Sequence, residues 1–272
     1  MFIDTHCHLD IIAECPENKS LTAEDIQKIK ALIAESIDQK VATVITIGTN
    51  IDSSKKSITL AAEIPSVYGS IGIHPCDTTD DMMTNLAELE KLLALDTKNR
   101  IVGIGEIGLD FYHPGFDIPR QKAYFRAQIE LAITHNLPII IHSRNAFAAT
   151  INILDEYKSQ QPRGVFHCFS EDTAAARQVL ERGFFVGIDG HISYPKNNAL
   201  REAIAFCGIN NVLLETDAPF LAPQKVRGTK NHPRNIPLIA EYLAEEVFKN
   251  LSSEEIGIKT TQNARQLFSK IR

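Results

Sequence analysis

The segment "IVGIGEIGLDFYHPGFDIPRQKAYFRAQIELAITHNLPIIIHSR" (residues 101–144) decides the fold, because it holds a strand, a helix and a second strand in succession. It opens with an apolar run, after which Phe125 and Ile129 fall on one face of a predicted helix. Pro119 suits the first turn of that helix, and Pro138 follows its end. A second apolar run closes the segment, so the sequence predicts parallel strands joined by a helix.

The same pattern recurs along the chain, with helical stretches between short apolar runs. The runs are MFIDTH (1–6), VATVITIGT (41–49), VYGSIGIHP (67–75), IVGIGEIGLD (101–110), LPIIIHSR (137–144), GVFHCFS (164–170), FFVGIDG (184–190) and VLLETDAP (212–219). Eight units in 272 residues predict an α/β fold, a (β/α)8 TIM barrel that forms one domain over residues 1–272. An open doubly wound sheet is the alternative. Residues 251–271 predict an extra helical pair at the C-terminus.

The bulk composition is that of a soluble globular protein, with 44% hydrophobic and 23% charged residues. The net charge of −6 provides no general attraction for nucleic acid, so a polyanionic substrate needs a local patch or a metal. The chain shows no signal peptide and no apolar run of about 20 residues. Five scattered cysteines form no CxxC pair. We therefore expect a cytoplasmic protein that does not enter the membrane.

Polar residues interrupt the apolar runs at or near their C-terminal ends. In an extended first run, His6 and His8 point to one side and Cys7 points to the other. The other polar residues of this kind are Glu106, His142, His167 and Asp217. Each one alone has an ordinary reading, such as a loop carboxylate, a core histidine or a helix N-cap. Six of them on the rim where a barrel builds its active site predict a metal centre.

Four imidazoles and two carboxylates are too many ligands for one tetrahedral ion with an open position. They suit two ions about 3.5–4 Å apart that share a carboxylate. A nitrogen and oxygen set without thiolate favours Mg, Mn, Zn or Fe and does not select among them. Cys7 and Cys168 each follow a histidine, and strand alternation predicts that both are small buried residues facing away from it.

The motifs taken together resemble the TatD-type metal-dependent deoxyribonucleases of the amidohydrolase superfamily. The matching stretches are DTHCHLD, GIHP, GEIGLDFY, LPIIIHSR, FHCFS, LLETDAPFLAP, RGTKNHP and NARQLF, in family order over essentially the whole chain. The resemblance implies a (β/α)8 barrel that hydrolyses phosphodiester bonds of DNA, typically from the 3′ end.

The resemblance also implies roles for the rim residues. One ion would be held by His6, His8 and Asp217, the other by His142 and His167, and Glu106 would bridge the two. Asp217 would serve as general base. Glu106 stands where many relatives in the superfamily use a carbamylated lysine. A glutamate at this position argues against a urease-like or phosphotriesterase-like metal site. The chain departs from the family pattern at His191 and His232, and both departures leave the substrate preference open.

Candidate substrate contacts are the cations and imidazoles near the predicted site, namely His74, His113, Arg144 and Arg227. Lys225, Lys230 and Arg234 lie near Arg227 in sequence, and a solvated basic loop is the ordinary alternative for these three. We expect a monomer acting on DNA, with RNA possible. Two rival functions are hydrolysis of another ester or amide, such as an aminoacyl-tRNA bond or a cyclic amide, and a catalytically inert binding protein.

Overall fold

The computed structural model describes residues 1–115 and 117–272. Its strands are β1 (Phe2–Cys7), β2 (Val41–Thr46), β3 (Val67–Ile71), β4 (Ile101–Asp110), β5 (Ile139–Arg144), β6 (Gly164–Phe166), β7 (Phe185–Ile188) and β8 (Val212–Leu214). They form one sheet in the order β1 to β8, and every neighbouring pair is parallel. The predicted barrel of eight parallel strands is confirmed, and each strand lies within its predicted apolar run except β1, which extends one residue further, to Cys7.

The sheet closes on itself between β8 and β1. Cys7 and Ala218 form an isolated parallel bridge, and the backbone N–H of His8 donates to the carbonyl of Ala218 at 2.8 Å. Beneath them the buried Asp4 carboxylate accepts hydrogen bonds from the backbone N–H and the hydroxyl of Thr216, at 3.0 and 2.6 Å. These contacts join the first and last strands, so the open doubly wound sheet is excluded.

Helices lie between the strands and cover the barrel. They are α1 (Leu9–Ile12), α2 (Ala23–Asp38), α3 (Ile51–Glu63), α4 (Met82–Leu95), α5 (Ile118–Thr134), α6 (Phe147–Glu156), α7 (Thr173–Glu181), α8 (Asn198–Cys207), α9 (Ile236–Glu246) and α10 (Ser253–Leu267). In α5 Pro119 occupies the first turn and Phe125 and Ile129 share the buried face, as predicted, and the Asp117 side chain caps the N-terminus. Within the described parts of the chain, none of these helices has the length and apolar character needed to cross a bilayer.

The C-terminal segment closes one end of the barrel. Residues 251–271 hold one helix, α10, so an extra C-terminal helix is confirmed, but the predicted pair is wrong because the neighbouring α9 is the helix of the eighth unit. Leu267, Phe268 and Ile271 pack against barrel-interior residues such as Ile3. This apolar plug fills the N-terminal end of the strands, so the polar residues are left to the opposite end.

Candidate metal centre

Four imidazoles surround the carboxylate of Glu106, which projects from β4 and is buried. Its Oε1 lies 2.8 Å from Nδ1 of His142, 3.1 Å from Nε2 of His167 and 3.5 Å from Nε2 of His74. Its other oxygen, Oε2, lies 3.3 Å from Nε2 of His6. The two oxygens therefore face different histidines, as a carboxylate shared by two cations would.

Asp217 joins the group from the chain that follows β8. Its Oδ1 lies 3.4 Å from Nε2 of His8 and 3.7 Å from Nε2 of His6. The residue adopts a positive φ of 52°, and its N–H donates to the carbonyl of His6 at 2.9 Å, which turns the side chain towards β1. No helix begins at Asp217 in the described chain, so it is not a helix N-cap.

The six predicted residues thus come together at the C-terminal end of the barrel. His6 faces one oxygen of Glu106 and contacts Asp217 with His8, whereas His142 and His167 face the other oxygen, and the rings of His6 and His167 stack with centroids 3.7 Å apart. The strand alternation that predicted a common face for His6 and His8 is consistent with their ring centroids, which are 5.2 Å apart.

The environment of His6 tests whether these residues fit a metal. The ring is 0% exposed, yet neither nitrogen has a hydrogen-bond partner in the described part of the chain. Nε2 of His6 lies 3.3 Å from Oε2 of Glu106, but the two atoms do not have the geometry of a hydrogen bond. A buried polar group without a partner costs about 1–3 kcal/mol. A cation beside Nε2 would remove that cost, so the donor set fits a metal ion.

His6, Glu106 and Asp217 also have the protonation states that metal binding requires. Burial lowers the pKa of His6, and the neighbouring His167 lowers it further, which keeps the ring in the neutral form that binds metal. Burial by itself would raise the pKa of Glu106, but the charge of His167 and the hydrogen bonds from His142 and His167 outweigh it and hold that pKa well below its usual range. Burial likewise opposes the ionisation of Asp217, while His8 and His167 lower its pKa. Burial opposes protonation of His8, His142 and His167, but the carboxylates of Asp217, Asp110 and Glu106 beside them raise their pKa, so an entering ion would displace protons from these three rings.

Two carboxylates form an outer layer around the histidines. Asp110 Oδ2 lies 3.1 Å from Nε2 of His142, on the nitrogen that does not face Glu106. Glu215 Oε1 lies 3.2 Å from Nδ1 of His167, again opposite the nitrogen that faces Glu106. Such carboxylates fix the orientation and tautomer of metal-binding histidines. The sequence interpretation missed both residues, although Asp110 closes the same apolar run as Glu106 and Glu215 lies in the run that ends at Asp217.

His74 lies against the metal centre and also lines the cavity above it. Its ring centroid is 4.4 Å from that of His142, and its Nδ1 accepts a hydrogen bond from the backbone N–H of Cys76 at 3.1 Å. Burial lowers its pKa to about 3. The neutral imidazole carries no charge for a phosphate, and with Glu106 and His142 it forms one of the groups able to hold a metal ion.

An open cavity of about 670 Å³ lies above these residues. Its rim includes His113 and Arg144 from the predicted substrate contacts, together with Phe220, which is 50% exposed. The guanidinium of Arg144 stacks 3.9 Å from the ring centroid of Tyr112, which is 56% exposed. His113 Nδ1 lies 3.0 Å from Oδ2 of Asp110. Cationic and aromatic groups therefore stand together at the mouth.

The remaining predicted contacts lie elsewhere. Arg227 stacks 4.4 Å from the ring centroid of Tyr194 and is not among the described residues that line the cavity. The three cations near it form surface ion pairs: Lys225 with Glu241, Lys230 with Glu14 and Arg234 with Glu35. This agrees with the solvated basic loop. His232 is buried outside the described lining of the cavity, and its Nε2 lies 3.9 Å from Glu35.

The two cysteines that follow histidines differ. Cys7 is fully buried and its thiol faces the carbonyl of Ile45, as strand alternation predicted. The prediction for Cys168 is wrong, because β6 ends at Phe166 and Cys168 adopts a left-handed φ of 47° in the following turn. Cys168 is only partly buried and lines the cavity, as does His191.

A (β/α)8 barrel with imidazoles and carboxylates at the C-terminal ends of its strands defines the class of metal-dependent hydrolases. The profile of the family described as "TatD related DNase" matches residues 3–269, and the chain belongs to that family. The protein is a TatD-family metal-dependent hydrolase.

Relatives of known name and structure span nearly the whole chain. An uncharacterized metal-dependent hydrolase of Buchnera aphidicola is 34% identical over 98% of this chain and 96% of its own. The "3'-5' ssDNA/RNA exonuclease TatD" of Salmonella typhimurium is 30% identical over 88% of this chain and 92% of its own. The crystal structure of the Escherichia coli TatD homologue YjjV aligns with a TM-score of 0.86 at 26% identity, covering 98% of each chain.

Proposed function

We propose that the protein is a metal-dependent nuclease that removes nucleotides from the 3′ end of single-stranded DNA, with RNA as a further substrate. The observation that carries the proposal is the position of Glu106 between two sets of histidines at the floor of an open cavity. The name of the Salmonella relative supports the choice of nucleic acid.

The ligands of the two sites are assigned from the family resemblance, and the distances around Glu106 support the assignment. One divalent ion would be held by His6, His8 and Asp217, a second by His142 and His167, and both by Glu106. Mg, Mn and Zn are all compatible with nitrogen and oxygen ligands. When bound, such an ion pair activates a water and neutralises charge on phosphoryl oxygens.

Asp217 is the group best placed to accept a proton. Its side chain is ionised and is 14% exposed, while that of Glu106 is 5% exposed. His8, at 3.4 Å, holds one oxygen of Asp217, and the other oxygen remains for the attacking water. Asp217 would therefore act as general base.

The rim suits a single-stranded nucleic acid. Arg144 offers a planar cation to a phosphate, which matters on a chain with a net charge of −6. The half-exposed ring of Phe220, which lines the cavity, offers a face on which an unpaired base can stack, worth about 1–3 kcal/mol. Bases are available for stacking only in strands that are not paired.

The test is a time course with single-stranded DNA labelled at one end. Metal-loaded protein should shorten 5′-labelled DNA stepwise and release a labelled mononucleotide first from 3′-labelled DNA. A chelator should stop both reactions, and readdition of Mg, Mn or Zn should restore them. Metal-loaded protein that leaves DNA and RNA intact but hydrolyses an aminoacyl ester would contradict the proposal.

A further inference from the structure

A second cluster of possible ligands borders the same cavity. Cys168, Asp189 and His191 each offer one ligand atom, and these atoms lie within 4.8 Å of one another. None of the three belongs to the six residues assigned to the ion pair. Cys168 and His191 line the cavity, and Asp189 is fully buried behind them. Asp189 and His191 both lie in the stretch GIDGHISYPKN, whose His191 departs from the family pattern.

The hydrogen bonds of this cluster are incomplete. Nε2 of His191 lies 3.2 Å from the carbonyl oxygen of Phe169, which can only accept, so Nε2 carries a proton. Nδ1 of the same ring faces Oδ1 of Asp189. The other carboxylate oxygen, Oδ2, is buried and has no hydrogen-bond partner in the described part of the chain.

The contact between Nδ1 and Oδ1 of Asp189 brings a ring nitrogen against a carboxylate, so it requires either a proton on Nδ1 or a metal ion bound to both groups. A proton on Nδ1 would join His191 to Asp189 but would leave Oδ2 of Asp189 without a partner. A metal ion would satisfy the imidazole, the carboxylate and the thiol of Cys168 together. The hydrogen bond from Nε2 to the Phe169 carbonyl is the outer contact that metal-binding histidines usually make.

We propose that Cys168, Asp189 and His191 form a third cation site for a borderline-soft divalent ion such as Zn²⁺ or Co²⁺. Thiolate and imidazole ligands favour these ions over Mg²⁺. Binding breaks the S–H bond of Cys168 and, where Nδ1 is protonated, its N–H bond, and the protons leave to solvent as the ion enters. Three protein ligands leave the fourth tetrahedral position open.

The third ion would add positive charge to the cavity beside the ion pair, where it could receive an oxygen of a neighbouring phosphate. This consequence rests on the proposed nuclease function, whereas the existence of the site does not. The site also predicts that Zn²⁺ and Mg²⁺ load the protein to different extents, because only the softer ion accepts a thiolate.

The experiment is a titration of the metal-free full chain with Co²⁺, followed by elemental analysis and absorption spectroscopy. Wild-type protein should bind three equivalents and show a thiolate-to-cobalt charge-transfer band in the near ultraviolet. Cys168→Ser should lose the band and one equivalent. The matched control is Cys76→Ser, because Cys76 belongs to the other thiol-containing group at the rim, with Asp110 and His113. It should keep the band and all three equivalents.

Two equivalents in the wild type, a band that survives Cys168→Ser, or a band lost in Cys76→Ser would each overturn the proposal. If circular dichroism shows that Cys168→Ser does not fold, His191→Gln provides the same readout through loss of the third equivalent. DNA cleavage is measured separately. Binding of three cobalt ions without DNA cleavage would support the third cation site and contradict the nuclease function. DNA cleavage by a protein that binds only two ions would support the nuclease function and contradict the third site.

Discussion

Oδ2 of Asp110 lies 3.1 Å from Nε2 of His142, on the side of the imidazole opposite Glu106. The ring is therefore held between two carboxylates, one of which faces the metal centre and one of which lies behind it. Asp110 is itself fixed by backbone N–H groups of Tyr112 and His113, which donate to its other oxygen at 2.9 and 3.1 Å. The orientation of a candidate ligand thus depends on a residue that would not bind the metal.

Asp110→Asn should weaken binding of the ion held by His142 by about 10–100-fold, the usual effect of removing an outer-shell partner. Calorimetric titration with Mn²⁺ or Zn²⁺ measures this loss. Asp80→Asn is the matched control, since Asp80 pairs with Arg120 on the surface. Equal affinities for the two variants would show that Asp110 does not orient His142.

Glu106→Gln should remove the shared carboxylate and lower both the metal content and the hydrolysis of DNA. The amide keeps the shape of the side chain but presents a neutral group to four imidazoles. Elemental analysis after dialysis against a fixed metal concentration provides the measurement. Unchanged metal content in the variant would reject Glu106 as the bridge.

Asp217→Asn should reduce kcat on single-stranded DNA by about 10²–10⁴-fold, the scale of a lost general base. The fold should persist, because the backbone N–H of Asp217 still donates to His6. Single-turnover kinetics with saturating metal separate the chemical step from metal binding. Turnover close to that of the wild type would exclude Asp217 as the base.

Arg144→Ala should lower kcat/KM for DNA by about tenfold, equivalent to about 1.4 kcal/mol for one charge-assisted phosphate contact. Arg227→Ala is the matched control, because Arg227 also stacks on a tyrosine but lies outside the described lining of the cavity. Metal content should be the same in both variants. Equal losses in the two variants would place the phosphate contact elsewhere.

Removal of metal should destabilise the protein, since the cation would give the buried Nε2 of His6 a partner. An ion present at 100 times its Kd stabilises the folded state by about 2.7 kcal/mol per site, provided that the unfolded chain does not bind it. Thermal unfolding with chelator and with added Mn²⁺ or Zn²⁺ should therefore show a clear rise in Tm on loading. Glu106→Gln should show a much smaller rise, and an equal rise would place the stabilising ion elsewhere.

The barrel could be predicted from the sequence because its evidence is local. Apolar runs, helical spacing and prolines at the ends of α5 each involve a few neighbouring residues. The position of the candidate site also follows from such runs. Parallel strands in a barrel bring their C-terminal ends to one rim, so a polar residue at the end of any strand meets the others there. For this reason Nε2 of His6 and Oδ1 of Asp217 lie 3.7 Å apart, although the two residues are far apart in sequence.

Only the tertiary structure decided where side chains beyond the strand ends point. The turn after β6 directs Cys168 into the cavity, and the loop after β8 leaves Arg227 against Tyr194. His74 lies against Glu106 because β3 and β4 are neighbours. Strand alternation ends where the strand ends, and from there side-chain direction depends on backbone turns and on contacts from distant parts of the chain. The sequence by itself therefore determined the barrel and the rim on which polar residues gather, and packing determined which of them face one another.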